Sequence, residues 1–412
     1  MNAHRFDAFS RGLSASGSRR RILAIMLSGP LAGLLGLGQT DAHNPLKKCK
    51  KKSGKQKKTC LKKAKKHNAT HITQAPSSSP GCTPSCRGKI CGPDGCGGSC
   101  GACFGGCGGG SCSCPTGTAV RFAPHGQWGS EGTGNGQFDR PWGIAAAPNG
   151  TVYVADRFNN RIQRFNAQGA LLGAWGSLGT GDGQFNVPAD VAVALDGTVY
   201  VADYGNHRIQ YFDAVGNFLD KWGSLGFPIP GDGQFTNPQG IAVAPNGSVY
   251  VADTNNGRIQ HFDAVGNFED KWSIEQPAGG TFSLPMGIAV APDGSTVYVT
   301  DARNHRVLLF DAEGTFLSQW GTSAPSPGSG NGEFNEPSGI DVDSEGTVFV
   351  ADTRNHRIQR FEAGGNFLGK WGSQGSFEGE FESPQGVAAH PSCAVYVADN
   401  ANNRIQVRRP VV

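Results

Sequence analysis

Six acidic residues recur through the later part of this 412-residue chain, and each is followed five positions later by an arginine. A carboxylate beside a guanidinium can serve acid–base chemistry or ligand binding, but a single reactive centre does not need six copies. We therefore interpret the pairs as structural, with the Asp bonding turn backbone and the Arg stem packing while its head reaches the Asp. The pairs are Asp156 and Arg161, Asp203 and Arg208, Asp253 and Arg258, Asp301 and Arg306, Asp352 and Arg357, and Asp399 and Arg404.

Two further carboxylates depart from the repeated pattern. Asp341 takes a position that is Ala in the five other copies, and Asp190 stands where the other copies have Gly. Carboxylates of this kind could begin a Ca²⁺ or Zn²⁺ site, although two protein ligands are too few to complete one. Asp190 and Asp341 are thus the candidate residues of an enzymatic alternative, a metal-dependent hydrolase or lyase. Otherwise no cofactor or metal is expected.

The elements that position these residues are short strands. The Val-x-Val-x-Asp segment recurs with a period of about 48 residues, which is typical of arrays of supersecondary units. In the clearest copy, alternating apolar residues over 241–243, 249–252, 258–262 and 268–272 predict four strands, which we call a, b, c and d. Four strands per unit at this period predict an all-β fold, a six-bladed β-propeller.

The sixth copy lacks its strand d. In the other five copies a Trp follows the repeated Asp at one constant spacing, as Trp175 follows Asp156, but the same count from Asp399 runs past Val412. Trp128 precedes Pro141 by the same offset that separates Trp175 from the Pro opening the next copy. Because an unpaired edge strand invites aggregation, we expect the segment around Trp128 to supply the missing strand.

The segment Asp203-x-x-Asn206-His207-Arg208-Ile209 and its counterparts at 301–307 and 352–358 resemble the NHL repeat, in which such a segment opens a strand of a propeller blade. The resemblance covers about residues 120–409. It implies the fold more strongly than a function, since one fold hosts many functions. Some six-bladed relatives hydrolyse lactones or cleave amidated precursors with channel metals. The His is replaced at Asn160, Gly257 and Asn403, so the residue type is not required for chemistry.

One end of the blades is predicted to bind a partner. The gap from Trp to the next Pro is the same after Trp128, Trp175, Trp272 and Trp371 but is longer after Trp222 and Trp320. Variable loops on a constant scaffold usually carry recognition, so we assign binding to the end with the d-to-a and b-to-c loops, the d-to-a face. Its predicted residues are the rim positions between Pro and Gly of strand a, namely Trp142, Ala189, Gln239, Met286, Ser338 and Gln385, and the loop residues Arg157, Phe158, Tyr204, Arg303 and Arg354. Alternatively, Trp142 and Met286 plug the channel.

Residues 1–42 are predicted to be an export signal. Arg19-Arg20-Arg21 precedes an apolar run of about 16 residues that is interrupted by Pro30, and residues 40–42 offer a small-residue cleavage site. The segment resembles a bacterial twin-arginine signal, and a general secretory signal is the alternative. The run is shorter than the ~20 residues of a spanning helix. We therefore expect an exported protein, extracellular or at the cell surface, without a transmembrane helix in the mature chain.

Charge is divided unevenly along the chain. From Ala119 onward there are 18 Lys and Arg against 30 Asp and Glu, whereas Lys47 to Lys66 includes twelve lysines and no acid. Because like charges repel, residues 43–81, first Lys-rich and then Pro/Ser-rich, are predicted to be a disordered linker. Contact of the lysines with a polyanion, such as an anionic lipid or a cell-envelope polymer, is the alternative. Nucleic acid is not expected as a partner of an exported chain.

Residues 82–118 form a Cys/Gly-rich segment with too little apolar material for a core, so disulfides are predicted to hold it. Zinc is the rival interpretation, but the stretch has no His. Its nine cysteines leave one unpaired, and Cys393 is a candidate partner for it, while connectivity stays open. The candidates are Cys82, Cys86, Cys91, Cys96, Cys100, Cys103, Cys107, Cys112 and Cys114.

These features predict an NHL-type propeller over residues 119–412, of an exported bacterial type with a Cys/Gly-rich module before it. We expect a non-catalytic scaffold that recognises a protein, peptide or glycan on the d-to-a face. The alternatives are the channel hydrolase or lyase and an architectural envelope protein without a specific ligand.

Overall fold

The computed structural model describes residues 92–93, 99–100, 114, 116–273, 282–321 and 326–411. The predicted export signal, the Lys-rich linker and most of the Cys/Gly-rich segment lie outside the described residues, and their boundaries stay predictions. Before the propeller, two short strands pair as a hairpin, β1 (Gly92–Pro93) and β2 (Ser99–Cys100). Within the described part of the chain, no helix is long and apolar enough to cross a membrane.

The predicted six-bladed β-propeller is confirmed: six four-stranded antiparallel sheets follow one another along the chain. Blade 1 comprises β4 (Pro141–Ala146), β5 (Val152–Asp156), β6 (Arg161–Phe165) and β7 (Leu171–Trp175). Blade 2 comprises β8 (Pro188–Val193), β9 (Val199–Asp203), β10 (Arg208–Phe212) and β11 (Phe218–Trp222). Blade 3 comprises β12 (Ile241–Val243), β13 (Val249–Asp253), β14 (Arg258–Phe262) and β15 (Phe268–Trp272).

Blade 4 comprises β16 (Pro285–Val290), β17 (Thr296–Asp301), β18 (Arg306–Asp311) and β19 (Phe316–Gly321). Blade 5 comprises β20 (Pro337–Val342), β21 (Val348–Asp352), β22 (Arg357–Phe361) and β23 (Phe367–Trp371). Blade 6 takes β24 (Pro384–Ala389), β25 (Val395–Asp399) and β26 (Arg404–Val411) from the end of the chain and β3 (Arg121–Trp128) from before blade 1. Short 3-10 turns link strands b and c in blades 2 to 6, at Tyr204–Asn206, Thr254–Asn256, Ala302–Asn304, Thr353–Asn355 and Asn400–Asn402.

The closing strand sits where the spacing argument places it. Strand β3 pairs antiparallel with β26, with Trp128 opposite Ile405 and Arg121 opposite Val411. Trp128 then packs 5.6 Å, between ring centroids, from Phe165 of blade 1, the distance that also separates Trp175 from Phe212. The sixth sheet is therefore completed by the segment before the first.

A disulfide joins Cys114 to Cys393 in the a-to-b turn of blade 6, with the two Cα atoms 5.4 Å apart. Cys393 takes a positive φ of 64°, in a turn where other blades use glycines such as Gly247 with φ 88°. The pairings of the remaining cysteines lie outside the described residues. This bond ties the start of the propeller to its last blade, beside the closing strand.

The core lies between blades rather than within one. Strand b is buried along its whole length in five blades, and in blade 4 it is buried from Val297 onward, because neighbouring sheets cover both of its faces. A buried Phe follows each d-to-a loop and packs against the end of strand c, as Phe235 does with Phe262 at 5.7 Å. Burial on both faces explains why strand b reads as a continuous apolar run instead of an alternating one.

Tyrosine hydroxyls of strand b join consecutive blades. Each donates to an alanine carbonyl in the c-to-d turn of the next blade, as Tyr200 of blade 2 does to Ala264 of blade 3 at 2.8 Å. Blade 5 has Phe349 at this position, and Phe122 of the closing strand packs edge-on against it at 5.7 Å. Since the sixth sheet takes its strand d from elsewhere in the chain, it has no c-to-d turn to accept such a bond. The other donors are Tyr153, Tyr250, Tyr298 and Tyr396.

Candidate functional site

The repeated Asp and Arg residues connect the constant strands to the variable loops. In blade 3 the buried Asp253 carboxylate accepts hydrogen bonds from Arg258 Nε at 2.7 Å and from the backbone N–H of Thr236 at 2.8 Å. The Arg258 guanidinium also donates to the carbonyls of Gly231 and Gln234, both at 2.8 Å. The corresponding Arg–Asp distances in the six blades lie between 2.6 and 3.0 Å. Each pair therefore anchors one d-to-a loop, in its own blade.

A glutamine that the sequence interpretation left out completes this network. Gln260 Nε2 donates to Asp253 at 3.0 Å and to the Gln234 carbonyl at 2.7 Å, while its Oε1 accepts from Gly233 N–H at 2.9 Å. Its counterparts are Gln163, Gln210, Gln359 and Gln406, all buried. The recurring Arg-Ile-Gln triplet was the available signal, since a buried amide needs such partners.

The repeated His has a structural role that Asn shares. His207, His305 and His356 each take φ near 54°, and Nδ1 accepts the N–H of the residue before the next Pro at 3.0 to 3.1 Å. Asn160 and Asn403 do the same through Oδ1, at 2.8 and 2.7 Å. All six residues at this position take the left-handed conformation, and in five blades the side chain adds an acceptor, which His and Asn can both supply; Gly257 of blade 3 has none.

The rim positions lie around one end of the central channel, where the blades are in close contact. A Cβ added to Gly240, Gly287, Gly339 or Gly386 would collide with the carbonyl oxygen of the next blade's rim residue. The Pro-x-Gly sequence thus permits tight blade-to-blade contact. Trp142, Gln239, Met286, Ser338 and Gln385 line a small cavity of about 30 Å³ there. Ala189, the sixth rim residue, is fully buried.

Asp190 and Asp341 line the channel proper, a cavity of about 150 Å³ whose other lining residues are Gly, Ala, Val and Ile. Asp190 accepts backbone N–H bonds from Val191 at 2.9 Å and from Ile241 of blade 3 at 3.1 Å. Asp341 likewise accepts from Val342 at 2.9 Å and from Ala389 of blade 6 at 2.8 Å. Each carboxyl therefore links two inner strands.

Burial raises the pKa of both channel carboxyls to about 7, against the lowering effect of the backbone N–H bonds. The negative charge of Asp341 contributes further to the raised pKa of Asp190. Over the residues the structure describes, no group of three or more His, Cys, Asp or Glu is placed to hold a metal ion. What the channel offers chemically is a pair of carboxyls that change protonation near neutral pH.

Arg157 and Trp142 lie together at the rim between blades 1 and 2. The Arg157 Cζ is 3.8 Å from the centroid of the Trp142 ring and 5.0 Å from that of Tyr204. Arg157 is 8 % exposed, and its Nε and Nη1 find no hydrogen-bond acceptor in the described structure. Gln239 and Gln385, each 9 % exposed, have side-chain oxygens that are likewise unsatisfied. The rim thus contains four buried polar atoms that lack partners in the described structure.

The remaining predicted face residues are spread around the ring. Phe158 and Arg303 are exposed, and Arg354 pairs with Glu336 at 2.5 Å in blade 5. The sequence interpretation did not single out Leu225, Phe227 and Ile229, which are exposed in one d-to-a loop between blades 2 and 3. Three apolar residues in a loop that is longer than most were the signal that could have identified them.

Comparison with known proteins agrees with the geometry. The profile of the NHL repeat matches residues 138–165, 185–212, 235–262 and 334–361, which fall in blades 1, 2, 3 and 5. E3 ubiquitin-protein ligase TRIM71 of Rattus norvegicus is 51 % identical over 43 residues, which are 10 % of this chain and 5 % of the ligase. The chain thus matches only a small part of that relative, which is eukaryotic, so the exported bacterial type stays a prediction.

Solved structures show the same fold at low sequence identity. A structural genomics protein of unknown function from Bacteroides thetaiotaomicron has a TM-score of 0.56 at 16 % identity, over 71 % of this chain and 76 % of that one. A gluconolactonase from Xanthomonas campestris has a TM-score of 0.51 at 14 % identity, over 72 % and 91 %. Both likenesses concern the fold alone. The chain therefore contains NHL repeats, built into a six-bladed β-propeller.

Proposed function

We propose that this propeller is a non-catalytic binding scaffold whose d-to-a face takes a protein or peptide partner. One observation carries the proposal. In the described part of the chain, the three most exposed large apolar side chains all lie on this face: Ile229 at 86 %, Phe227 at 80 % and Phe377 at 77 %. Phe227 and Ile229 share one loop with Leu225, which is 52 % exposed, and neighbouring exposed apolar side chains mark interaction sites on soluble proteins.

The scaffold beneath these side chains is suited to binding. The d-to-a loop that carries Phe227 and Ile229 is held at its base by the buried Arg–Asp–Gln network of blade 3, so its tip is presented by an ordered support. A pre-ordered surface spends less conformational entropy on association. The apolar character of the loop tips favours a protein or peptide over a glycan. A location outside the cell, expected from the signal-like segment 1–42, is part of the same proposal.

The test compares the two ends of the propeller. Native protein, Phe227→Asp, Ile229→Asp and the control Leu195→Asp are immobilised, and proteins retained from extracts of the source cells and their medium are identified by mass spectrometry. Leu195 is 72 % exposed but lies in an a-to-b turn at the opposite end, so it is a matched control. We expect one retained set that Phe227→Asp and Ile229→Asp lose and Leu195→Asp keeps. Retention that is equal in all four would refute the assignment to this face.

A second candidate function rests on the position of Asp190 and Asp341 in the channel lining, with their raised pKa values as support. A carboxyl that titrates near pH 7 can exchange protons with a substrate, as acid–base hydrolases and lyases require. Ca²⁺ or Zn²⁺ would belong to this alternative only. A screen of lactone and ester substrates with native protein and Asp341→Asn tests it. Turnover that disappears in the variant, with unchanged folding, would place this function first.

A further inference from the structure

In blades 3, 5 and 6 the side chain of the residue after the strand b Asp bonds the next blade. Thr254 and Thr353 donate their hydroxyls to the carbonyls of Pro285 and Pro384, both at 2.8 Å, and Asn400 donates its amide to the carbonyl of Pro141 at 3.1 Å. Blade 4 has Ala302 at this position, without a polar side chain, and blades 1 and 2 have Arg157 and Tyr204. In blades 1 and 2, which are adjacent, the position thus brings an arginine and two aromatic rings together.

Arg157 is a buried cation without a counter-ion among the described residues. The six repeated arginines each face a buried Asp, whereas Arg157 forms no ion pair in the described structure and has two unsatisfied nitrogens. Burial lowers its pKa to about 10, so it stays charged at neutral pH. An enclosed charge without a paired anion is unfavourable, and a ligand that brings the anion removes that cost. The contact with Trp142 fixes where the guanidinium sits.

The surroundings of Arg157 fit a peptide better than a small anion alone. Trp142 also lines the rim cavity, which holds the unsatisfied amide oxygens of Gln239 and Gln385 and so accepts N–H or O–H donors. Phe158, next to Arg157 in the chain, is exposed at the same end. Arginine, tryptophan and tyrosine are the residue types most often found to dominate the energy of protein interfaces.

We propose that Arg157 is the anchor for a carboxylate of a peptide partner, either an Asp or Glu side chain or a free C-terminus, with apolar residues of that peptide beside it. This inference rests on the proposed binding function of the d-to-a face. A carboxylate is favoured over a phosphate because the propeller carries 30 Asp and Glu against 18 Lys and Arg from Ala119 onward. A single guanidinium in an acidic protein suits a single negative charge, while a second charge would be repelled.

The test uses a displayed library of random twelve-residue peptides, selected on the native protein. Each selected peptide is made with its acidic residues intact, with each Asp or Glu replaced by Asn or Gln, and with a free or an amidated C-terminus. Affinities for native protein, Arg157→Gln and the control Arg121→Gln are measured by fluorescence anisotropy. Arg121 is an exposed arginine that begins the closing strand β3, at the end of the blade remote from the d-to-a face. The peptide substitutions test the contact on native protein, even if Arg157→Gln proves unstable.

We expect one peptide carboxylate whose neutralisation weakens binding by about ten- to a hundredfold, the range of a hydrogen bond to a charged group. Arg157→Gln should weaken binding to a similar degree. The neutralised peptide should bind Arg157→Gln no more weakly than it binds the native protein, because both changes remove the same contact. Arg121→Gln should bind as the native protein does. Dependence on the amidated terminus identifies a C-terminal carboxylate, and dependence on Asp or Glu identifies a side chain.

Two results would overturn the inference in distinguishable ways. Peptides that lose binding with Phe227→Asp but tolerate neutralisation of every carboxylate would refute the role of Arg157 and leave the binding face intact. Peptides whose binding depends on neither Phe227 nor Arg157, or a library without binders, would count against the face and the inference together.

Discussion

The inter-blade tyrosines give a sharp test of how the ring is held together. Replacing Tyr200 by Phe removes only the hydroxyl, which donates to the Ala264 carbonyl at 2.8 Å, and leaves the buried ring in place. A neutral hydrogen bond contributes about 1 kcal/mol net to stability. Since the packing is unchanged, Tyr200→Phe should lower the free energy of unfolding by about 1 kcal/mol, or roughly 2 °C in Tm for a domain of this size.

The reverse change in blade 5 should also destabilise. Phe349→Tyr adds a hydroxyl beside the Phe122 ring, where the sixth sheet has no c-to-d turn to offer a carbonyl. Burying a hydroxyl that has no turn carbonyl of the next blade to donate to costs about 1 to 3 kcal/mol. The same chemical difference, one hydroxyl, is therefore expected to be favourable in blade 2 and unfavourable in blade 5.

Urea unfolding followed by tryptophan fluorescence measures both variants against the native protein. The control is Tyr211→Phe in blade 2, whose ring packs on Tyr200 but whose hydroxyl makes no hydrogen bond in the described structure, so it should be neutral. Equal slopes with urea concentration would show that the unfolding reaction is unchanged. A neutral or stabilising Phe349→Tyr would contradict this role of the hydroxyl, and so would equal effects of Tyr200→Phe and Tyr211→Phe.

Three further expectations concern the channel, the closure and the loop anchors. Burial raises the pKa of Asp341 from 3.8 to about 7, so between these pH values the folded state holds a proton that the unfolded chain releases. The stability that this protonation contributes is fully present below about pH 4 and is lost as the pH rises through 7. The free energy of unfolding of Asp341→Asn, relative to that of the native protein, should therefore be higher at pH 8 than at pH 5, as measured by urea unfolding. The same relative free energy at both pH values would contradict a pKa raised by burial. Trp128→Ala should lower the free energy of unfolding by about 3 kcal/mol, as much as Trp175→Ala, because both rings pack 5.6 Å from a Phe of the next blade. Thermal unfolding measures this loss. A nearly unchanged stability of Trp128→Ala would mean that the closing strand contributes little. Arg258→Lys keeps the charge but loses the guanidinium fork that reaches Asp253 and the Gly231 and Gln234 carbonyls. Amide hydrogen exchange in residues 223–235 should therefore become about tenfold faster or more. The d-to-a loop of blade 2 serves as the control and should keep its exchange rate.

The candidate binding face was predicted largely from residue spacings in the sequence. Length variation between Trp and Pro identified the variable end, and the rim and b-to-c positions were placed on it from strand direction alone. Which of those positions lack partners did not follow, because hydrogen-bond satisfaction depends on neighbouring blades. Arg157 and Thr254 occupy equivalent sequence positions, yet only the structure shows that Thr254 bonds Pro285 while Arg157 meets two rings.

The amino-acid sequence by itself determined the propeller, its six blades and its closure. Those features depend on local strand propensity and on a period repeated six times, so each copy supports the interpretation of the others. The tertiary structure decided which side chains are available for binding. It showed Asp190 and Asp341 engaged with adjacent strands, the Asp–Arg pairs beneath the loops, and Phe227 and Ile229 exposed at a loop tip. Availability is set by contacts between residues a whole repeat apart, where two sheets meet, and such contacts leave no periodic signal within one repeat.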